Sequence, residues 1–459
     1  MGNRLGRLLA STGLIAFSIM FSISIVGPLL SSLAEEEGIP LGGKPNTSIG
    51  VIFALGGLAL ALAQAPLARA ADRLGRRGFV LWGSVGVAAS VLLIGYSRET
   101  AEALGLGFRV ESLGWDASTV ILAVARTLQG VAAAATWPVL LSIIASSTGG
   151  SRMGTAMGVF GASFGLGMAL GPVIGPALAA AAGIHAPFLL SAALALASAA
   201  AALPLPRGVP GGALGARGSP RVSPMRDPLL LSLGLIAFTL LYAMGSLVVI
   251  YPRYMLDVLH MSMRQLALAM ALASLTYALL QPVTGRLADL IDKRIPILVG
   301  HPLAGASVAL AGLSHGTTSV YASMLLFGAA GATAFPAATA MVGLIAPRGR
   351  EGAYTGVYNA LLSLGVTVSP IAIGLIADTH GYPAAFSSVL PMVLAATLLF
   401  AVVAARRKAS PSRGQGPQAG RTPPRAPGQR ASAMRAIHHW PVGCEGGSRL
   451  FILRVRVTL

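Results

Sequence analysis

Long apolar stretches recur along the whole chain, and they restrict its fold more than any other feature. Each runs for about 18 residues or more, enough for a helix to cross roughly 30 Å of hydrocarbon. Backbone groups in lipid must be hydrogen-bonded internally, so such stretches fold as helices. The sequence therefore predicts an all-α polytopic membrane protein. The twelve predicted spans lie at about 8–33, 48–67, 79–97, 118–142, 156–182, 186–204, 229–251, 265–284, 295–313, 318–345, 354–376 and 384–405.

The charged residues predict how the spans are oriented. Only 10% of residues are charged, 54% are hydrophobic, and the mean hydropathy is +0.74. Most Lys and Arg residues before residue 406 lie in alternate connectors, whereas acidic residues such as Glu35–Glu37 lie in the others. The positive-inside rule then predicts a multi-pass protein of the plasma membrane with both termini in the cytoplasm. The net charge of +18 reflects this topology, so we expect no nucleic-acid partner.

The last segment, 406–459, differs from the rest of the chain. It contains eleven Lys or Arg residues and one acidic residue, among many Pro, Gly and Ser. Such a composition cannot bury a core, so we predict a disordered cytoplasmic tail. The tail is either simply solvated or held to anionic lipid headgroups. Cys444 is the only cysteine in the sequence, which excludes an internal disulfide and a cysteine-based metal site.

The two halves of the sequence repeat one another. Gly130 and Gly328, like Pro172 and Pro370, are 198 positions apart, whereas before residue 98 the matching offset is 217. The difference indicates an insertion, for which the polar stretch 98–117 is the candidate. An even number of spans per copy inserts both copies the same way round. We therefore predict two pseudo-symmetric six-helix bundles, 1–204 and 228–405, joined by a cytoplasmic linker at 205–227.

Charge is concentrated in two matching cytoplasmic connectors, "DRLGRR" at 72–77 and "DLIDKR" at 289–294. Asp72 lies close to the start of the third span, where backbone N–H groups favour an anion. Charged contacts that form and break here would act as a gate. The alternative is positive-inside anchoring, which leaves the matched Asp unexplained. The predicted gating residues are Asp72, Arg73, Gly75, Arg76, Arg77, Gly285, Asp289, Lys293 and Arg294.

The fourth span contains an arginine, in "RTLQG" at 126–130. Arg126 is eight residues from the outer end near 118, which places it roughly 12 Å deep. An arginine at this depth faces a bundle interior or a watery cavity. Gln129 lies on the same helix face and can accept a hydrogen bond from the guanidinium. Arg126 is either a functional residue or an arginine satisfied by backbone carbonyls.

The fifth span contains a stripe of small residues in "GLGMALGPVIGP", 165–176. Gly167, Gly171 and Gly175 recur every four residues and form one smooth helix face, which permits close helix packing. Pro172 removes a backbone donor within this stripe. Helix packing alone would explain such a pattern.

These motifs resemble those of the major facilitator superfamily over about residues 8–405. The family's loop pattern, Gly-x-x-x-Asp-Arg-x-Gly-Arg-Arg, is matched by "ARAADRLGRR" with Ala68 in the first position, and more loosely by "GRLADLIDKR". The resemblance implies that the connectors control opening and closing, and that Arg126 and Gln129 handle substrate or protons. The stripe in the fifth span resembles the signature of the family's drug:proton antiporter branch, which has twelve helices.

The family's architecture also implies which residues line a central pathway. The lining of this predicted pathway has few charges, which suits a hydrophobic solute that is neutral or anionic. No Asp or Glu lies inside the spans expected to line it, and His301 reads as a hydrogen-bonded core histidine. The predicted pathway residues are Gln64, Arg126, Gln129, Trp137, Tyr242, Gln281 and Asn359.

The resulting functional hypothesis is secondary active transport of a small organic solute, drug-like or metabolite, by alternating access. Proton-coupled export is the first version. An importer or uniporter without proton exchange is the alternative, and a non-transporting receptor on the same fold is a further one. No phosphate-binding Gly-rich loop or catalytic constellation is present, so we expect neither an enzyme nor a cofactor. The expected partners are the lipid bilayer, the solute and protons.

Overall fold

The computed structural model describes residues 2–147, 153–205, 224–347 and 351–409, which are almost entirely helical. The first half contains α1 (Gly2–Ser24), α2 (Val26–Glu36), α3 (Pro45–Leu74), α4 (Arg76–Gly95), α5 (Ser97–Ala103), β1 (Arg109–Val110), β2 (Trp115–Asp116), α6 (Ala117–Ala134), α7 (Trp137–Ser147), α8 (Met153–Ala182) and α9 (Ala186–Ala202). The second half contains α10 (Pro228–Gly245), α11 (Tyr251–Arg253), α12 (Met263–Leu290), α13 (Arg294–Gly312), α14 (Thr317–Ile345), α15 (Glu351–His380), α16 (Tyr382–Ser387) and α17 (Val389–Ala409).

Within the described residues, eleven helical segments are long and apolar enough to cross a membrane. The predicted span 186–204 corresponds to α9, which has 17 residues. This helix nevertheless packs along α4 and α1. The prediction of an all-α polytopic membrane protein is confirmed, whereas the count of twelve spans and the cytoplasmic side of the termini stay predictions. Helix α17 continues past the predicted boundary at 405, and the tail beyond 409 lies outside the described residues.

Four of the predicted spans are interrupted, and a proline lies just after each interruption. A proline inside a helix removes a hydrogen bond and collides with the carbonyl four residues earlier. Helix α1 ends four residues before Pro28, α6 ends four residues before Pro138, and α16 ends four residues before Pro391. The π-helical turn 246–250, which follows α10, contains the residue four positions before Pro252. Other helices, such as α3 with Pro66, continue through a proline, so a proline alone does not predict a break.

Helix packing in the first half recurs in the second. Helix α1 packs on α8 as α10 packs on α15, and α3 packs on α6 as α12 packs on α14. Likewise, α4 contacts α6 and α9 as α13 contacts α14 and α17. This is the arrangement expected of a duplicated unit. Residues Met1–Ala409 form one compact unit, so the division at 204 and 228 stays a prediction.

The two halves meet mainly where α3 packs on α15 and where α8 packs on α12. A Cβ atom on Gly50 would lie 2.1 Å from the carbonyl oxygen of Pro370. One on Gly374 would lie 2.4 Å from the carbonyl oxygen of Asn46. The contact between α3 and α15 is therefore tight at the Asn46 end.

The polar insertion at 98–117 folds over the Asn46 end of the molecule. It forms α5 and an antiparallel hairpin in which Val110 pairs with Trp115. The buried indole of Trp115 donates to Ser48 Oγ at 2.9 Å. Asp116 caps α6 by accepting from the Thr119 N–H at 3.0 Å, which satisfies a free donor of the first turn. The insertion thereby fixes the start of the helix that carries Arg126.

Candidate functional site

Arg126 is buried between three helices of the first half. Its side chain projects from α6 and is only 3% exposed. The guanidinium lies over the ring of Phe53 in α3, with 4.3 Å between its central carbon and the ring centroid. Gly56, one turn further along α3, makes this approach possible, because a Cβ there would lie 3.0 Å from Arg126 Nε. A cation over an aromatic face is stabilised most where water is excluded.

A chain of hydrogen bonds connects Arg126 to α1. Arg126 Nη1 donates to Gln129 Oε1, as their spacing on one helix face predicts. Gln129 Nε2 in turn donates to the carbonyl oxygen of Ser22 at 2.8 Å. The hydroxyl of Ser191 in α9 donates to Ser22 Oγ at 2.8 Å. The network therefore fixes the orientation of the Gln129 amide and leaves its oxygen facing the arginine.

The charge of Arg126 is not neutralised by any acidic side chain within the described residues. The ion pairs there involve other residues. Its Nε–H is buried and has no hydrogen-bond partner in the same residues. A buried charge without a counter-ion is costly. The guanidinium can bind an anionic group or a strong hydrogen-bond acceptor.

The other predicted pathway residues are distributed over several helices. Gln281 Nε2 donates to the hydroxyl of Tyr277 at 3.1 Å on α12. Trp137 packs on α8, with ring centroids 4.8 Å from Phe160. The remaining three form no hydrogen bond with Arg126 among the described residues: Gln64 is half-buried on α3, Tyr242 is buried on α10, and Asn359 is exposed on α15. Arg126 and Gln129 are thus the predicted pair that the structure brings together.

The glycine stripe of α8 packs against the first span. A Cβ on Gly167 would lie 2.4 Å from the carbonyl oxygen of Phe17, and one on Gly171 would lie 2.1 Å from Ser24 Oγ. Gly175 faces Ile25 in the same way, at 2.8 Å from its side chain. Pro172 lies inside α8, which continues through it to Ala182. These glycines allow close packing within the first half.

The charged connectors are described in part. Gly75 has a φ of 112°, a conformation that favours glycine, and it separates α3 from α4. Asp292 matches Gly75 at the offset of 217, and it does not have a positive φ, so the second connector turns without a glycine. Arg294 lies 3.8 Å from Asp292 there, whereas Gly285 faces open space. The predicted contacts of Asp72 and Asp289 lie outside the described side chains, and the gating roles stay predictions. The other predicted gating residues are Arg73, Arg76, Arg77 and Lys293.

Asp378 joins the halves at the opposite end from the connectors. It lies two residues before the end of α15 and accepts hydrogen bonds from the backbone N–H groups of Asn46 and Thr47, at 3.2 and 2.7 Å. The Asn46 amide and the Thr47 hydroxyl donate to the same carboxylate at 2.9 and 2.7 Å. The residue before α3 is Lys44, whose side chain supplies no cap. Asp378 therefore caps α3 from the other half of the molecule.

We expect Asp378→Asn to weaken closure at the Asn46 end. The amide keeps the shape but loses the charge that strengthens these bonds. The closed population should fall about tenfold relative to the open one, a difference of about 1.4 kcal/mol. Spin labels on Gly43→Cys and His380→Cys, in a Cys444→Ser background, would report the distance across this end. Asp257→Asn, an acid paired with Arg253 nearby, is the control. Identical distance distributions for Asp378→Asn and the parent would contradict the capping role.

His301 is the hydrogen-bonded core histidine that the sequence predicts. Its Nε2 lies 2.8 Å from the Thr239 hydroxyl and its Nδ1 lies 2.7 Å from the Thr397 hydroxyl. The side chain is completely buried. Phe53, Gly56, Ser191 and Asp378 are the contact residues that sequence reasoning did not select. In the sequence, only the residue type of these four could have drawn attention to them. Predicting their contacts requires knowing how helices that are distant in sequence face one another.

The fold and the site together define a class of protein: a multi-pass helical membrane protein whose helix packing repeats between its halves and whose first half contains a buried charge. A sequence profile of the Major Facilitator Superfamily matches residues 12–243 and again residues 233–452. The chain therefore belongs to the Major Facilitator Superfamily. It is a multi-pass protein of the cell membrane, as predicted.

Individual proteins are similar to parts or all of the chain. The multidrug transporter protein MdtP of Bacillus subtilis is 28% identical over 127 residues, which cover 28% of this chain and 24% of MdtP. The quinolone resistance protein NorA of Staphylococcus aureus is 24% identical over 154 residues, covering 33% of this chain and 39% of NorA. The matches thus span less than half of either relative.

A solved structure is similar over nearly the whole chain. It is a bacterial homolog of the human lysosomal transporter Spinster in an inward-facing, unoccupied conformation. The TM-score is 0.64 at 16% identity, and the match covers 88% of this chain and 96% of that one. At this identity the likeness establishes the shared fold.

Proposed function

We propose that the protein is a secondary active transporter that exports a small organic solute in exchange for protons by alternating access. The observation that carries this proposal is the buried guanidinium of Arg126, which lacks an acidic partner in the described part of the chain. A charge of this kind inside a membrane protein is costly and marks a functional pathway. Membership of a transporter family supports the same proposal.

The close contact between the halves at the Asn46 end supports alternating access. Helices α3 and α15 touch closely at Gly50 and Gly374. If the halves rock, this contact opens while the opposite end closes, and a solute is exposed to each side in turn. By the predicted topology, the Asn46 end faces the outside, where an exporter releases its solute.

The solute that fits Arg126 is apolar with one anionic or hydrogen-bond-accepting group. Phe53 and Gly56 bring apolar surface to the guanidinium, and Gln129 already occupies one of its donors. An acceptor on the solute could take the donors that remain, and such charge-assisted bonds are strong. The multidrug relatives support an organic rather than an inorganic solute. Proton exchange is supported by resemblance to the antiporter branch.

We expect inverted membrane vesicles containing the protein to accumulate lipophilic anionic dyes, and to stop doing so when nigericin collapses the pH gradient. Inverted vesicles present the cytoplasmic face outward, so export is read as dye uptake. Vesicles without the protein are the control. Dye entry that is unaffected by nigericin and stops at equal concentrations on the two sides would replace the antiporter by a uniporter. Dye entry only into right-side-out vesicles would indicate an importer, and no movement in either orientation would favour a receptor.

A further inference from the structure

Three segments of the first half bring metal-ligating side chains together at the Asn46 end. Glu37 follows α2, Glu99 lies in α5, and His185 lies in the turn between α8 and α9. His185 Nε2 is 3.1 Å from Glu37 Oε1 and 3.6 Å from Glu99 Oε1. The three ligand atoms all lie within 4.8 Å of one another. The three residues of this cluster are far apart in the sequence, and the cluster has no role in the transport proposal.

The imidazole of His185 is held so that Nε2 faces the two carboxylates. Its Nδ1 lies 3.0 Å from the carbonyl oxygen of Gly95. A carbonyl can only accept, so the proton is on Nδ1. The ring also stacks on Tyr96, with centroids 4.6 Å apart and an interplanar angle of 11°. Metal-binding histidines are fixed in this way, with the second nitrogen donating to a carbonyl or carboxylate.

Two of the three separations between the ligand atoms, those from His185 Nε2, are close to the values expected for tetrahedral zinc. Atoms bound to Zn²⁺ at about 2.0–2.1 Å in a tetrahedron are about 3.3 Å from one another. The separations of 3.1 and 3.6 Å from His185 Nε2 bracket this value. One imidazole and two carboxylates form a nitrogen–oxygen ligand set that suits zinc. We propose that His185, Glu37 and Glu99 form a zinc site with one position left for water or another ligand.

The neighbouring charges leave these carboxylates available. Arg98 Nε donates to Glu102 Oε1 at 2.9 Å, and Arg98 Nη1 donates to the backbone carbonyl of Glu37 at 2.5 Å. Within the described residues, His185 is the sole ion-pair partner of Glu37 and of Glu99. The side chains are 20%, 45% and 31% exposed for Glu37, Glu99 and His185, so an ion has a path of entry from solvent.

Bound zinc would cross-link the end of the first span to helix α5 and to the turn between α8 and α9. Helix α2, which Glu37 follows, also packs on α11 in the second half. The metal would therefore stiffen a helix that takes part in the contact between the halves. This inference is independent of the proposed transport function, because zinc binding is measured without any solute.

The test uses the full chain, purified in detergent without a histidine tag. Tail donors are removed by His438→Ala, His439→Ala and Cys444→Ala, and zinc chloride is titrated against a fluorescent chelator. We expect about one zinc per chain, and X-ray absorption should give nitrogen and oxygen ligands at about 2.0–2.1 Å. Glu99→Gln, which keeps the side-chain shape, should weaken binding at least about tenfold. His185→Ala should do the same.

The matched controls are the exposed residues Glu102 and His315. Neither Glu102→Gln nor His315→Ala should change the zinc affinity. Thermal unfolding without zinc checks that each variant is folded, and zinc should raise the melting temperature of the parent more than that of Glu99→Gln. Absence of stoichiometric zinc in the folded parent, or unchanged affinity in folded Glu99→Gln, would overturn the proposal. The cluster would then be a polar contact of His185 with the two carboxylates.

Discussion

Arg126→Ala is expected to reduce solute transport about 10- to 100-fold while the protein remains folded. A hydrogen bond to a charged group contributes about 1.5–3 kcal/mol, which corresponds to this range of rates. The guanidinium is buried over Phe53 and is held by Gln129. Arg126→Lys keeps the charge but loses the planar fork, so transport should be only partly retained. Dye accumulation in inverted vesicles is the measurement.

The melting temperature of variants at position 126 distinguishes a functional arginine from a structural one. Arg126→Met removes a buried charge that has no acidic partner in the described residues, without leaving a large cavity. Replacing such a charge by an apolar side chain is often neutral or stabilising. The melting temperature of Arg126→Met should therefore equal or exceed that of the parent. Arg264→Ala, at an exposed arginine, is the control for both readouts. Full transport by Arg126→Ala would refute the proposed role.

Gly50→Ala is expected to abolish transport and to lower the melting temperature. The added methyl group would lie 2.1 Å from the carbonyl oxygen of Pro370 and 2.8 Å from the Ile371 nitrogen, both backbone atoms that cannot rotate away. Overpacking of this kind costs about 1–3 kcal/mol. The cost falls on the contact between the halves, since α3 belongs to the first and α15 to the second. Dye transport and thermal unfolding measure the two effects.

Gly6→Ala is the matched control, because it makes the same chemical change in another helix. A Cβ on Gly6 would meet no atom within 4 Å. Its transport should be unchanged and its stability equal or slightly higher, since alanine favours helix over glycine. If Gly50→Ala and Gly6→Ala behaved alike in both assays, the close contact of α3 with α15 would have no part in transport.

The sequence was sufficient for the features that depend on local chemistry. Apolar length predicts the spans. The hydrogen bond from Arg126 to Gln129 follows from their spacing on one turn of helix. Each of these predictions requires only neighbouring residues and the geometry of a helix. They hold because lipid leaves the backbone no alternative to the helix.

Contacts between helices could not be predicted in the same way. Phe53 stacks on Arg126, and Asp378 caps α3, only because α3 has a particular rotation and depth relative to α6 and α15. Neither residue stands out by composition, since an aromatic residue and a helix-end acid are ordinary in membrane proteins. His185 is similar, because its two acidic partners lie far away in sequence. Such sites require the tertiary arrangement.

The two copies of the duplicated unit have come to differ chemically. The positions that match Arg126 and Gln129 are Met324 and Phe327, and Met324 is buried in the apolar core. Under the proposed function, only the first copy therefore binds the solute through polar groups. The second copy contributes an apolar surface that forms no hydrogen bonds with the solute. Release of the solute then requires breaking hydrogen bonds with the first half alone, which keeps the free-energy barrier to release low. The duplication still supplies the symmetry for the rocking motion.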